Sequence, residues 1–207
     1  MLITFEGIEG SGKSTQIELL NDYLKDKGYE VVKTREPGGT ALGEALRKVL
    51  LQKDLHVLPL TELLVFMAVR VQHIEEVILP ALQSGDIVLC DRFVDATFAY
   101  QGYGRGVDTG IIGTLNRLAT KGITPNLTIL LDCDVDRGLK RKQINNPDSD
   151  RFEEEEASFH QVIRAGYLKL AEEDAKRFFV VDGNQDIQAI HLTIRDRVRK
   201  LLENHGV

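Results

Sequence analysis

Gly7-Ile8-Glu9-Gly10-Ser11-Gly12-Lys13-Ser14 constrains this chain more than any other stretch. The apolar run Leu2-Ile3-Thr4-Phe5 before it reads as a short buried strand. Ser14 to Leu20 after it reads as the first turns of a helix, with Ile17, Leu20 and Leu24 on one face. A strand that turns into a helix through a glycine-rich loop can aim successive backbone N–H groups inward, and the helix N-terminus adds partial positive charge. The spacing G-x-x-x-x-G-K-[ST] at such a junction is the phosphate-binding P-loop. It predicts a polyphosphate cradle formed by Gly7, Ile8, Glu9, Gly10, Ser11, Gly12, Lys13, Ser14 and Thr15. Lys13 is placed to reach the β- and γ-phosphates, and the Ser14 hydroxyl to ligate Mg²⁺. The ligand is therefore a nucleoside triphosphate; what is done with it is left open.

Strand-like and helix-like segments alternate along all 207 residues. Leu2–Glu6, Glu30–Thr34, Ile87–Asp91, Leu127–Asp132 and Phe178–Val181 are rich in Val, Ile and Leu, as strands covered on both faces should be. Amphipathic stretches lie between them, at roughly 14–27, 40–52, 59–83, 107–121, 134–144, 155–176 and 186–204. This order predicts an α/β chain of the P-loop NTPase class, a mostly parallel sheet with helices on both faces. Ligands then bind beyond the C-terminal strand ends, which brings Gly7–Ser14, Arg35, Asp91, Arg92 and Asp132 to one edge. No repeat and no linker divides residues 1–207, which read as a single domain. Residues 141–156, RKQINNPDSDRFEEEE, carry almost no apolar side chains and read as a lid or a surface loop.

Composition narrows the function. A net charge of −6 gives no basic surplus to neutralise a phosphate backbone, so no nucleic-acid partner is expected. No apolar run approaches a membrane span, and Met1 leads straight into the first strand, so a cytoplasmic protein without signal peptide is expected. Cys90 and Cys133 lie at apolar strand ends and read as buried thiols, not as a zinc site. The five histidines are scattered; His73, one helical turn from Arg70, is placed either to approach the site or on the surface, and the surface reading is preferred.

Four further pieces carry chemistry. Ile87–Asp91 is an apolar strand ending in a carboxylate, the pattern that holds Mg²⁺ beside P-loop phosphates. Leu127–Asp132 has the same pattern, but a helix-cap role competes there, and Asp91 is preferred because Arg92 follows it. A guanidinium beside the metal carboxylate can grip a second phosphate bidentately. Thr34-Arg35-Glu36-Pro37-Gly38-Gly39-Thr40 presents Arg35 on a rigid turn, or is an ordinary strand–helix loop. Phe66 and Arg70 share a helix face. Alone they read as core ring and surface charge, yet the pair also suits a nucleobase. Asp95 to Gly102 adds hydroxyl and amide groups, with Thr97 and Gln101 again four apart; a capped short helix is the competing reading.

Together, the P-loop, T-R-E-P-G-G, F-x-x-x-R-x-Q, D-R-F and T-x-A-Y-Q-G resemble the thymidylate kinases, in this order and at these spacings, from Met1 to about Val181. The resemblance implies transfer of phosphate from ATP to dTMP, giving dTDP, with Mg²⁺ held by Ser14 and Asp91, on a five-stranded parallel sheet in a homodimer. It implies that Arg35 and Arg92 grip the dTMP phosphate and that Phe66 stacks on thymine. It places Arg70 and Gln101 on the base edge, Thr97 and Tyr100 in the nucleoside pocket, and Pro37 near the base. Glu9 falls where the family keeps an acidic residue facing the sugar and phosphates. Lys13, Arg92, Glu9 and a lid arginine would be the catalytic set.

Two departures matter. Ala96 stands where many members carry Ser. Gly10 stands where one branch of the family carries an arginine, and the other branch takes that arginine from the lid. Arg151 is the expected lid cation, with Arg141 and Lys142 behind it. Arg141 is expected on the adenine, beside the Val181-Asp182-Gly183-Asn184 loop. Two rivals differ: another P-loop kinase acting on a different monophosphate or deoxynucleoside, and a nucleotide-binding regulator. The paired arginines Arg35 and Arg92 favour a monophosphate over a deoxynucleoside acceptor, leaving which monophosphate open, and the guanine motif N-K-x-D of switch proteins is absent.

Overall fold

The computed structural model describes residues 1–145, 151–152 and 155–205. Five parallel strands form one sheet in the order β2-β3-β1-β4-β5, with β1 Leu2–Glu6, β2 Val31–Arg35, β3 Ile87–Asp91, β4 Leu127–Asp132 and β5 Phe178–Asp182. Central β1 is buried along its whole length, and Ile3 pairs with both Leu89 and Leu127. The chain runs to β2 and β3 on one side of β1 and then crosses to β4 and β5. The crevice beyond the C-terminal end of β1 is thus a topological switch point, and it holds the P-loop.

Helix α1 (Lys13–Asp26) and helix α9 (Ile187–His205) cover one face. Ile17, Leu20 and Leu24 pack there with Ile194, Val198 and Leu201 over Phe5 and Ile129. The other face carries α3 (Pro59–His73), α4 (Leu79–Gln83), α5 (Val94–Thr97), α6 (Thr109–Thr120) and α8 (Ala157–Glu173). Helix α2 (Ala41–Leu50) packs on α3, and α7 (Val135–Asn145) on α8. Thr40 caps α2, its hydroxyl accepting from Gly43 N at 2.9 Å.

The stretch expected as one helix over 59–83 is α3 and α4 joined by a π-helical turn, Ile74–Ile78. Pro80, in the first turn of α4, has no N–H to donate backward, so the regular ladder is interrupted there and the wider turn absorbs the mismatch. A second wide turn, Phe98–Gly104, follows α5 directly and carries Tyr100 and Gln101 to the site. Of the lid expected over 141–156, residues 146–150, 153 and 154 lie outside the described residues.

Candidate active site

A cleft of about 800 Å³ opens at the C-terminal strand edge. Its walls take in the P-loop from Glu9 to Thr15, the strand ends at Arg35 and Asp91, Phe66 and Arg70 of α3, and the segment from Arg92 to Gln101. Pro37, Ala96, Thr97, Tyr100 and Arg141 line it too. Gly7 and Ile8, expected in the cradle, do not line it. At its donor end, Lys13 is folded back onto its own loop, donating to the carbonyls of Gly7 and Ile8 at 2.9 Å each. Burial and the nearby Arg92 lower the Lys13 ammonium from 10.5 to about 8. Ser14 Oγ lies 3.4 Å from Asp91 Oδ2, both at the cleft. Two hard oxygen donors beside a phosphate cradle fit Mg²⁺, which keeps few protein ligands and takes phosphate oxygens and water for the rest.

Arg92 occupies the centre. Its backbone is left-handed, φ 65°, a strained conformation for a side-chain-bearing residue and one that recurs at functional sites. The turn throws its guanidinium back over the sheet edge, 4.8 Å from the Tyr100 ring centroid. Nη2 donates to Glu9 Oε1 at 2.9 Å and Nη1 to the Tyr167 hydroxyl at 3.1 Å. Tyr100 donates to Glu9 Oε1 at 2.7 Å. Burial alone would raise the Glu9 carboxyl. Arg92, His160, Lys13 and Tyr100 outweigh it and hold the group well below the usual carboxylate range. Behind them Glu6 accepts from Tyr167 and from Phe93 N, and burial, with Asp95 nearby, pushes its carboxyl up to about 7.

Arg70 is fully buried, so the surface-charge reading is overturned. Its Nε donates to Glu36, its Nη1 to Thr97 and Asn116, and its Nη2 to the Phe93 carbonyl. His73 is buried as well, not on the surface, between Thr34 Oγ1 at 2.6 Å and Glu36 Oε1 at 3.0 Å. Glu36 thus compensates a guanidinium inside the fold, the arrangement a buried charge requires. The helix-cap reading of Asp132 also fails: it forms a bidentate pair with Arg164, at 2.6 and 2.9 Å. Phe66 is only partly buried and lines the cleft, 6.3 Å edge-on from Phe152. Arg35 is half exposed, paired with Glu44 at 2.8 Å.

On the far side Arg141 Nη1 donates to the Gly183 carbonyl at 2.9 Å, which joins α7 to the loop after β5. Lys142 lines the cleft beside it. Arg151 does not line the cleft. It donates to the Leu50 carbonyl at 3.0 Å and to Glu62 Oε2 at 2.6 Å, and lies over Phe152. Sequence reasoning passed over Glu36, Arg47, Glu62, Phe152, His160 and Tyr167. Glu36 sat inside a motif already singled out, and His160 and Tyr167 are seven apart, on one face of α8. Arg47, which donates to the Pro37 carbonyl at 2.8 Å, carried no signal beyond its helix.

The family model described as Thymidylate kinase matches residues 5–194. A thymidylate kinase of Geotalea daltonii is 52% identical over 203 residues, 95% of each chain. One of Geotalea uraniireducens is 50% identical over 198 residues, 93% of each chain. The crystal structure of thymidylate kinase from Ehrlichia chaffeensis superposes with a TM-score of 0.79 at 38% identity, covering 96% of this chain and 98% of that one.

Proposed function

The chain belongs to the thymidylate kinase family, and from that premise we infer how its own residues phosphorylate dTMP to dTDP. The observation that carries the reading is one cleft with a P-loop at one end and Arg92, Arg35, Phe66 and Gln101 toward the other. ATP is the donor: P-loop N–H groups and Lys13 hold its phosphates. Ser14 and Asp91 would hold Mg²⁺, which would neutralise charge on those phosphates. Arg92 and Arg35 hold the acceptor phosphate in line with the donor. Phe66 stacks on the base, Gln101 meets its edge with the buried Arg70 behind it, and Pro37, Thr97 and Tyr100 shape the pocket. Glu9, ionised across the working range, orients Arg92 and faces the sugar. Catalysis is then positioning plus electrostatic stabilisation, without a covalent intermediate.

The cation for the transferred phosphoryl group comes from the lid side. Arg151 is assigned to it once released from Glu62, with Arg141, packed on adenine, and Lys142 already facing the cleft. The protein acts in the cytoplasm as a homodimer. Leu60, Leu64 and Val71 form an exposed apolar stripe on α3, and the helices packed on α3 also expose Val49 of α2 and Leu118 of α6, a surface suited to a second copy. No described helix is long and apolar enough to cross a membrane. The decisive experiment is turnover of dTMP, dUMP, dCMP, AMP and GMP with ATP and Mg²⁺. dTMP is expected to be the preferred acceptor over dCMP, AMP and GMP, and a preference for any of those three overturns the reading.

A further inference from the structure

Glu62 is a fully buried carboxylate on α3, outside every motif that marks the site. Its Oε1 accepts from Gln101 Nε2 at 2.7 Å, and its Oε2 from Arg151 Nη2 at 2.6 Å. A carboxylate facing guanidinium groups, here Arg151 and also Arg105, whose Nε lies 3.7 Å from Oε1 and stays when Arg151 is released, offers only lone pairs. Gln101 must therefore present its NH₂ end to Glu62, and this settles which way round its amide lies. Gln101 also lines the cleft, so the end turned away from Glu62 is a carbonyl oxygen, an acceptor. The donors of Arg70 are already directed at Glu36, Thr97, Asn116 and Phe93. Gln101 is left as the polar group whose orientation a single neighbour decides.

We propose that Glu62 is a positioning residue for base selection: it locks the Gln101 amide so that only its carbonyl faces the acceptor base. A pyrimidine carrying N3–H, as thymine does, donates to that oxygen. Cytosine presents a lone pair at N3 instead and meets repulsion. A site built around one such hydrogen bond rejects the analogue that lacks the donor far more strongly than a site relying on shape. This inference rests on the assignment of dTMP as acceptor.

The test is the ratio of kcat/KM for dTMP to that for dCMP. Glu62→Gln keeps the volume but can donate or accept, so the Gln101 amide is free to turn. The ratio is expected to fall about tenfold or more, mainly through the dTMP KM, with the KM for ATP little changed. Exchanging the pair, Glu62→Gln with Gln101→Glu, restores an acceptor-only group at position 101 pinned by a donor at position 62. It is expected to regain most of the ratio. A damaged fold would lower both acceptors together and would not be rescued by the exchange. If the parent does not use dTMP, the assignment of the acceptor fails. If the parent does, and the ratio survives Glu62→Gln or is not regained by the exchange, the role given to Glu62 fails.

Discussion

Lys13 makes the sharpest case for reading a residue through its surroundings. It is buried against two carbonyls and near Arg92, and burial and that guanidinium lower its ammonium from 10.5 to about 8. Bound phosphates favour the protonated form. The value of kcat/KM for ATP, which reports the free enzyme, should therefore fall about tenfold per pH unit above 8, while kcat stays flatter. Stability moves the other way. Between pH 8 and 10.5 the unfolded chain binds more protons at this lysine than the folded one does, so its contribution to stability rises with pH there. Lys13→Arg should abolish the high-pH fall in kcat/KM; a fall that persists assigns it to another group. Arg151 can be weighed in the same terms. Arg151→Ala should lower kcat about 100-fold with little change in the KM for ATP, and unchanged turnover would pass the role to Arg141 or Lys142. The placement of the P-loop, Asp91 and Arg92 at one cleft was legible, because apolar strands running into these motifs fix where they end. The burial of Arg70 and His73 was not, because it depends on Glu36, which lies more than thirty residues away.

Helix α7 shows what an element contributes that its own pattern does not reveal. It docks on the P-loop through two facing glycines. A Cβ on Gly10 would lie 1.9 Å from the Gly138 carbonyl oxygen, and a Cβ on Gly138 would lie 2.6 Å from the Glu9 carbonyl oxygen. Gly10 also has φ 67°, which disfavours any side chain. An arginine at position 10 is therefore excluded by backbone contact, and the transition-state cation must reach the donor phosphates from elsewhere. Gly138→Ala should push α7 off the loop and destabilise the fold by about 1–3 kcal/mol. It should also raise the KM for ATP more than that for dTMP. Denaturant unfolding and steady-state kinetics check both, and a neutral effect would mean the two backbones can separate freely. Strand positions were readable from apolar runs to within one residue, because burial on both sheet faces leaves little room for polar alternation, and the ends of the long helices, outside the 59–83 stretch, to within about three. The facing of Gly10 and Gly138 was invisible, since an isolated glycine in a helical run gives no hint of which distant backbone approaches it. The π-helical turn at Ile74–Ile78 has a local cause, Pro80, but the apolar pattern runs through it unbroken and does not mark it.

At the scale of the whole molecule, α3 has two working faces. Glu62, Phe66, Arg70 and His73 recur at helical spacing toward the acceptor site. Leu60, Leu64 and Val71 recur on the opposite side, between 45% and 53% exposed. A second copy seated on that apolar face would fix the same helix that brings Phe66 and Arg70 to the cleft wall, so assembly and acceptor binding would share one element. Placing a charge there separates them. Leu64→Glu should shift the protein from dimer to monomer, because a carboxylate cannot be left unpaired in an apolar contact without a cost of several kcal/mol. Its fold should survive, since Leu64 is half exposed and lies outside the core clusters. The monomer should show a raised KM for dTMP and a nearly unchanged KM for ATP, because the P-loop is carried by β1 and α1 on another part of the sheet. Light scattering reads the assembly and steady-state kinetics reads the two KM values. A variant that stays dimeric places the interface elsewhere. A monomer with both KM values unchanged shows that the acceptor site does not depend on the partner.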